Sequence, residues 1–189
     1  MKAFLVVLTA IEMFSGTVKA GAITYTETVI GTGTLGATPF TNALVTLTFI
    51  ANTANIINSS PGIFQDTVGT GLISVAGVGN GTFTDQVEAV VNQGIPGAGL
   101  SDFTENLLML WTNASVFATY NLASAIGPIS STAQINSVGF SYATSLGNLS
   151  FASTSGNSTF TATTTPEPAT EMLLSAGLLG LAILRRSVR

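Results

Sequence analysis

The chain has 189 residues, enough for one domain with a core of its own, and 46% of them are hydrophobic against 7% charged. It contains no cysteine and no histidine, and its Lys and Arg residues stand only at positions 2, 19, 185, 186 and 189. Disulfides, thiol chemistry and Ser-His-Asp, Cys-His or Ser-Lys catalysis are therefore excluded, as is nucleic-acid binding, which needs Lys or Arg against phosphate.

The N-terminus reads as an export signal. Met1-Lys2 is a short positive start, Ala3 to Phe14 is mostly apolar, and Val18-Lys19-Ala20 offers small or modest residues to a signal peptidase. Glu12 and Lys19 depart from the pattern. Cleavage is expected after Ala20, with Ala22 as the second choice. An uncleaved anchor is the alternative, although the apolar run is short for a span. Residues 1–20 are thus read as a signal peptide.

Residues 21–162 are rich in Thr, Ser, Asn, Gly and Val and show period-two alternation. Ile23, Tyr25, Glu27 and Val29 alternate with Thr24, Thr26 and Thr28. Val45, Leu47 and Phe49 share one face. Val87, Ala89 and Val91 form another, as do Val116, Ala118 and Tyr120, then Val138, Phe140 and Tyr142. Leu149 with Phe151, and Phe160 with Ala162, complete the set. Turn signals separate the runs at Gly31 to Gly36, Ser60-Pro61-Gly62, Gly77 to Gly81, Gly94 to Gly99, Gly127-Pro128, Gly147-Asn148 and Gly156-Asn157. This spacing predicts a mainly β ectodomain, an antiparallel β-sandwich, with Tyr142 to Phe160 as a terminal meander. Asp102-Phe103-Thr104-Glu105 has the shape of a capping box and predicts a short helix or turn over 102–109, with a buried strand at Leu107 to Trp111 as the alternative. Trp111, the only tryptophan, is expected to anchor the core.

Few residues can carry chemistry. Gly31-Thr32-Gly33-Thr34-Leu35-Gly36 matches GxGxxG, but Pro39 follows where a helix should start and the next acid is Asp66, so a hairpin loop is expected. Asp85 with Glu88 and Asp102 with Glu105 are the close acid pairs. Their ordinary reading is loop solvation and capping. The sharper readings are calcium ligation, for which no known loop pattern fits, and a glycosidase-like pair. No cofactor is expected. Threonines at 24/26/28, 46/48 and 161/163 suggest an ice-binding array, yet no internal repeat is present, and the expected role is the solvent face of ordinary strands. Five Asn-X-Ser/Thr sequons, at Asn58, Asn80, Asn113, Asn148 and Asn157, are largely what chance gives in such a composition.

The tail is the most specific stretch. Thr163 to Thr165 lead into Pro166-Glu167-Pro168, whose prolines remove two donors and favour an extended strip. Met172, Leu173, Leu174, Leu178, Leu179, Leu181, Ile183 and Leu184 lie in an uncharged run over 172–184. Arg185, Arg186 and Arg189 follow as a stop-transfer cluster. Thirteen helical residues span only roughly 20 Å, short of a hydrocarbon core of about 30 Å, but the basic cluster favours a transmembrane helix over a core helix. This order resembles the PEP-CTERM sorting signal of Gram-negative bacteria over about the last 25 residues. The resemblance implies an exosortase-type processing enzyme as partner, anchoring in the inner membrane before processing, and then a cell-surface or extracellular location, with an exopolysaccharide as a further candidate partner.

The expected function is a structural or interaction role at the surface or in the extracellular matrix, without enzymatic activity. The alternative is a carbohydrate- or other ligand-binding module using Tyr25, Trp111, Tyr120 or Tyr142, for which a row of exposed rings would speak. A carboxylate-based hydrolase comes third.

Overall fold

The computed structural model describes residues 21–105, 107–134 and 139–165. Valine, isoleucine, threonine and aromatic residues fit a pleated surface better than a helix, and strands dominate the described chain. In order they are β1 (Ala22–Leu35), β2 (Thr38–Asn52), β3 (Ile56–Ser60), β4 (Ile63–Asp66), β5 (Gly69–Val75), β6 (Gly79–Thr82), β7 (Val87–Asn92), β8 (Gly97–Asp102), β9 (Leu107–Asn113), β10 (Ile126–Thr132), β11 (Ser141–Tyr142) and β12 (Leu149–Thr165). Two sheets result. The larger has the order β10-β12-β1-β2-β5-β6, with β11 added to β12; the smaller runs β3-β4-β7-β8-β9. The pairings between these strands are antiparallel, so the fold is mainly β and sandwich-like.

The three longest strands, β1, β2 and β12, form the middle of the larger sheet. β1 is paired on both sides, from Ala22 against Thr165 and Asn52 to Leu35 against Leu149 and Thr38. The inward rows are the ones the alternation marks. Ile23, Tyr25, Val29, Val45, Leu47, Phe49, Phe151, Phe160 and Ala162 are buried from this sheet, against Val87, Ala89, Val91, Ala98, Leu100 and Leu110 from the other. Phe160 ties them together, with ring centroids 6.3 Å from Tyr25, 5.6 Å from Phe117 and 6.4 Å from Tyr120. Along one edge the sheets also meet through the backbone: Asn113 N–H donates to Ser131 Oγ at 2.9 Å, and Trp111 exchanges main-chain bonds with Gln134.

Outward rows carry the threonines. Thr28 sits between Thr159 and Thr46, and Thr26 between Thr161 and Thr48, all half-buried. They form the outer face of the larger sheet, as ordinary strands would.

Several expectations need correction. Val116, Ala118 and Tyr120 do not make a strand. Ser115–Ala118 is a 3₁₀ turn closed by Phe117 N–H to the Ala114 carbonyl, and its period of three aims Phe117 and Tyr120 inward while Val116 and Ala118 stay exposed. Of the short helix or turn expected over 102–109, the described residues show the turn, at 103–105, and the alternative strand from Leu107. Asp102 Oδ1 does accept from Thr104 and Glu105 N–H at 2.8 and 3.1 Å, but this caps a single turn. From Leu107 the chain pairs with β8, because a strand there can be covered on both faces. Phe140 is exposed, and only Ser141–Tyr142 is strand beside it; Val138 lies outside the described residues. Of the expected meander, the first turn joins β11 to its antiparallel partner β12, but the second does not form: Gly156-Asn157 makes a bulge within β12, where Thr159 pairs with Thr28 but Ser155 with Ile30. Likewise Gly31 and Gly33 belong to β1, and the hairpin turns at Gly36-Ala37. Gly33 is needed because a side chain there would run into the Ser150 carbonyl and the Phe40 ring.

Among the described residues no helix is long and apolar enough to cross a membrane. The expected signal peptide, the Pro166-Glu167-Pro168 strip, the apolar run over 172–184 and the three arginines after it all lie outside the described residues.

The reassignment at Ser115–Ala118 has a direct consequence. Phe117→Ala should destabilise the fold by about 3–5 kcal/mol and Val116→Ala by less than about 0.5 kcal/mol. Urea unfolding of the two variants checks this; equal effects would restore the strand.

Candidate functional site

With no base among the described residues, every acid must find its partners among hydroxyls, amides and backbone N–H groups. Four acids are nonetheless buried: Glu27, Asp66, Glu88 and Asp102. Glu27 stands on the inward row of β1, fully enclosed between the sheets. Thr112 Oγ1 of β9 donates to its Oε1 at 2.9 Å, and Leu100 N–H of β8 donates to its Oε2 at 3.3 Å. Thr112 Oγ1 lies 2.6 Å from Ser158 Oγ of β12, which donates to the Trp111 carbonyl at 3.3 Å. One carboxyl thus links β1 to two strands of the opposite sheet. Burial raises its pKa to about 8, with the bonds from Thr112 and Leu100 acting in the opposite direction.

Asp66 closes β4 on the inward side. Both its oxygens are buried, and neither meets a donor in good hydrogen-bond geometry. Burial raises its pKa to about 6, tempered by the nearby Val68 N–H and Tyr25 hydroxyl. The Tyr25 hydroxyl itself donates to the Leu122 carbonyl at 3.0 Å, and burial raises this phenol's pKa.

Glu88 points the other way, onto the outer face of the smaller sheet. There a groove of about 660 Å³ has Glu88, Gln65 and Ser101 on its floor and Trp111, Asn113 and Gln134 on one wall. Ser101 Oγ donates to Glu88 Oε1 at 2.5 Å and Gln65 Nε2 to Oε2 at 2.9 Å. Burial raises the Glu88 pKa; Ser101 and Gln65 oppose that shift and the charge of Asp102 adds to it. Trp111 lies over Gly97, where any Cβ would fall on the indole, and its N–H donates to Asn113 Oδ1 at 2.7 Å. The tryptophan is buried, but outside the inter-sheet core, so it does not anchor that core as expected.

The candidate acids are dispersed. Asp85 accepts the Ala143 N–H at 3.1 Å, Asp102 caps the turn after β8, and Glu105 is exposed. Of the four, only Glu88 lines the groove. Among the described residues no three acids gather where a metal ion could be held. Tyr25, Trp111, Tyr120 and Tyr142 are all buried, so they present no exposed row of rings. Sequence reasoning set Glu27 in an apolar row without assigning it a role, and it missed Asp66, Gln65 and Gln134. The signal for Glu27 was present, an acid among Ile23, Tyr25 and Val29; the other three carry none.

No family model, no curated protein sequence and no solved structure matches the chain.

The buried acids fix the sign of a pH dependence. Glu27 holds its proton up to about pH 8 in the fold, against an ordinary value of 4.5. Between these values unfolding releases a proton, so stability is greatest in acid and falls as pH rises. Asp66 adds the same sign between 3.8 and about 6. Unfolding free energy should therefore drop by on the order of 1 kcal/mol per pH unit across this range. Glu27→Gln should flatten the curve above pH 6. Denaturant curves at several pH values check both statements, and a wild-type curve flat from acid to pH 8 contradicts them.

Proposed function

We propose that the chain is an exported β-sandwich protein, held in the inner membrane by its tail, cut there by an exosortase-type enzyme, and then retained at the cell surface or in the extracellular matrix in a structural or interaction role. The observation that carries this reading is the order of Pro166-Glu167-Pro168, the uncharged run from Met172 to Leu184, and Arg185, Arg186 and Arg189. The fold is compatible with it. Thr163 to Thr165 remain paired with Ala22 to Thr24, so the proline strip starts one residue past the last ladder pair. The expected start of the mature chain after Ala20 lies beside the same strand end. A membrane enzyme could cut the strip without opening a sheet.

Replacing Pro166 and Pro168 by alanine should leave membrane insertion unchanged, since the apolar run is untouched. It should slow release, since the strip loses its extended bias. Mass spectrometry of the mature C-terminus in a host that carries the enzyme checks this. A full-length wild-type chain still ending at Arg189 would overturn the reading.

A further inference from the structure

The groove on the outer face of the smaller sheet is lined by side-chain amides that leave one or both ends free. Asn92 Oδ1 accepts the N–H groups of Gly94 and Ile95 at 2.9 and 3.1 Å. Asn113 Oδ1 accepts the Trp111 indole N–H. Backbone and indole N–H groups only donate, so in both residues the amide nitrogen is the end left over. Gln65 gives its nitrogen to Glu88 and keeps its carbonyl oxygen. Gln134 makes only main-chain bonds, to Trp111, and both ends of its side chain are free. Among the described residues the only buried side-chain polar atoms without a partner are those of Asp66, so the leftover ends of Asn92, Asn113 and Gln65 are open to solvent, and Gln134 is itself exposed. Between them stand the apolar side chains of Val90 and Leu108.

We propose that this groove binds a neutral saccharide, one or two rings of a glycan. Its volume of about 660 Å³ falls within the usual range for small-molecule sites. The uncharged donors of Asn92 and Asn113, the acceptor of Gln65 and the two-sided amide of Gln134 match hydroxyls, each of which both donates and accepts. The apolar patch between them suits the C–H face of a sugar ring. Anions find no counter-charge, since no Lys, Arg or His occurs from residue 21 to residue 165. Cations find only Glu88, whose two oxygens already accept from Ser101 and Gln65. A purely apolar ligand would desolvate the free amide ends and leave them unpaired. Trp111 serves as a wall rather than an open platform, being only 7% exposed. This inference stands apart from the reading of the tail, and its test involves no processing.

Trp111 is the only tryptophan in the chain, so its fluorescence, excited selectively over the three tyrosines, reports on this groove. The experiment titrates the purified full-length chain, kept in a sugar-free detergent, with glucose, N-acetylglucosamine, cellobiose and maltose, and with glucosamine and galacturonate as charged controls. The expected result is a saturable change with at least one neutral sugar, with a Kd on the order of 1 mM. Gln134→Ala should weaken it several-fold at an unchanged unfolding midpoint, and Val90→Phe, which fills the floor, should abolish it. The proposal is overturned by a folded chain that responds to none of the neutral sugars, by a response in charged sugars alone, or by one that Gln134→Ala leaves at full affinity.

Discussion

The carboxyl of Glu27 is the one group that both sheets have to accommodate. It rises from the middle of the longest ladder, takes the Thr112 hydroxyl and the Leu100 N–H from the facing sheet, and through Thr112 reaches Ser158 on β12. In most proteins an acid at such a depth would be matched by Arg or Lys. This domain has none, so the acid is kept neutral, and a proton does the work of a counter-ion. The register of the smaller sheet against the larger is tied to that contact. A displacement by two residues along β9, which keeps the same face inward, would put Leu110 or Ala114 where the Thr112 hydroxyl now stands and leave the carboxyl without its donor.

The same arrangement accounts for the groove. Because β8 must approach Glu27 closely, it carries Gly99 beside the carboxyl, and because Trp111 must lie flat outside it carries Gly97. The smaller sheet is thus covered on both sides. Its inner side meets the core, and its outer side has the indole and Leu108 over a strand that is buried throughout. Asn92, which caps the turn after β7, and Asn113 and Gln134, whose main-chain bonds tie β9 to the segment around β10, all line the groove. Asn92, which holds the turn after β7, is also one of the side chains that offer a spare donor.

Legibility in the sequence followed the physics of alternation. Where a strand is half-buried, as in β1 and β2, the inward rows could be read residue by residue, Glu27 included. Where it is buried on both faces the period disappears, and β9 could not be told from a helix opened by Asp102. Glycines misled twice. In β1 and in β12 they mark close approach and a bulge, features set by the neighbouring strand, which no local pattern reveals. The groove was illegible for a similar reason: Gln65, Asn92, Asn113 and Gln134 come from separate elements, and only the sheet order brings them together.

The neutral state of Glu27 can be observed directly. With glutamate labelled at its side-chain carboxyl carbon, a pH titration by NMR follows each glutamate, and Glu27→Gln assigns the signal of the group between the sheets. The account predicts a carboxyl that stays protonated through pH 6 and titrates near pH 8 while the domain remains folded. A Glu27 signal that titrates at its ordinary value near 4.5 would contradict it.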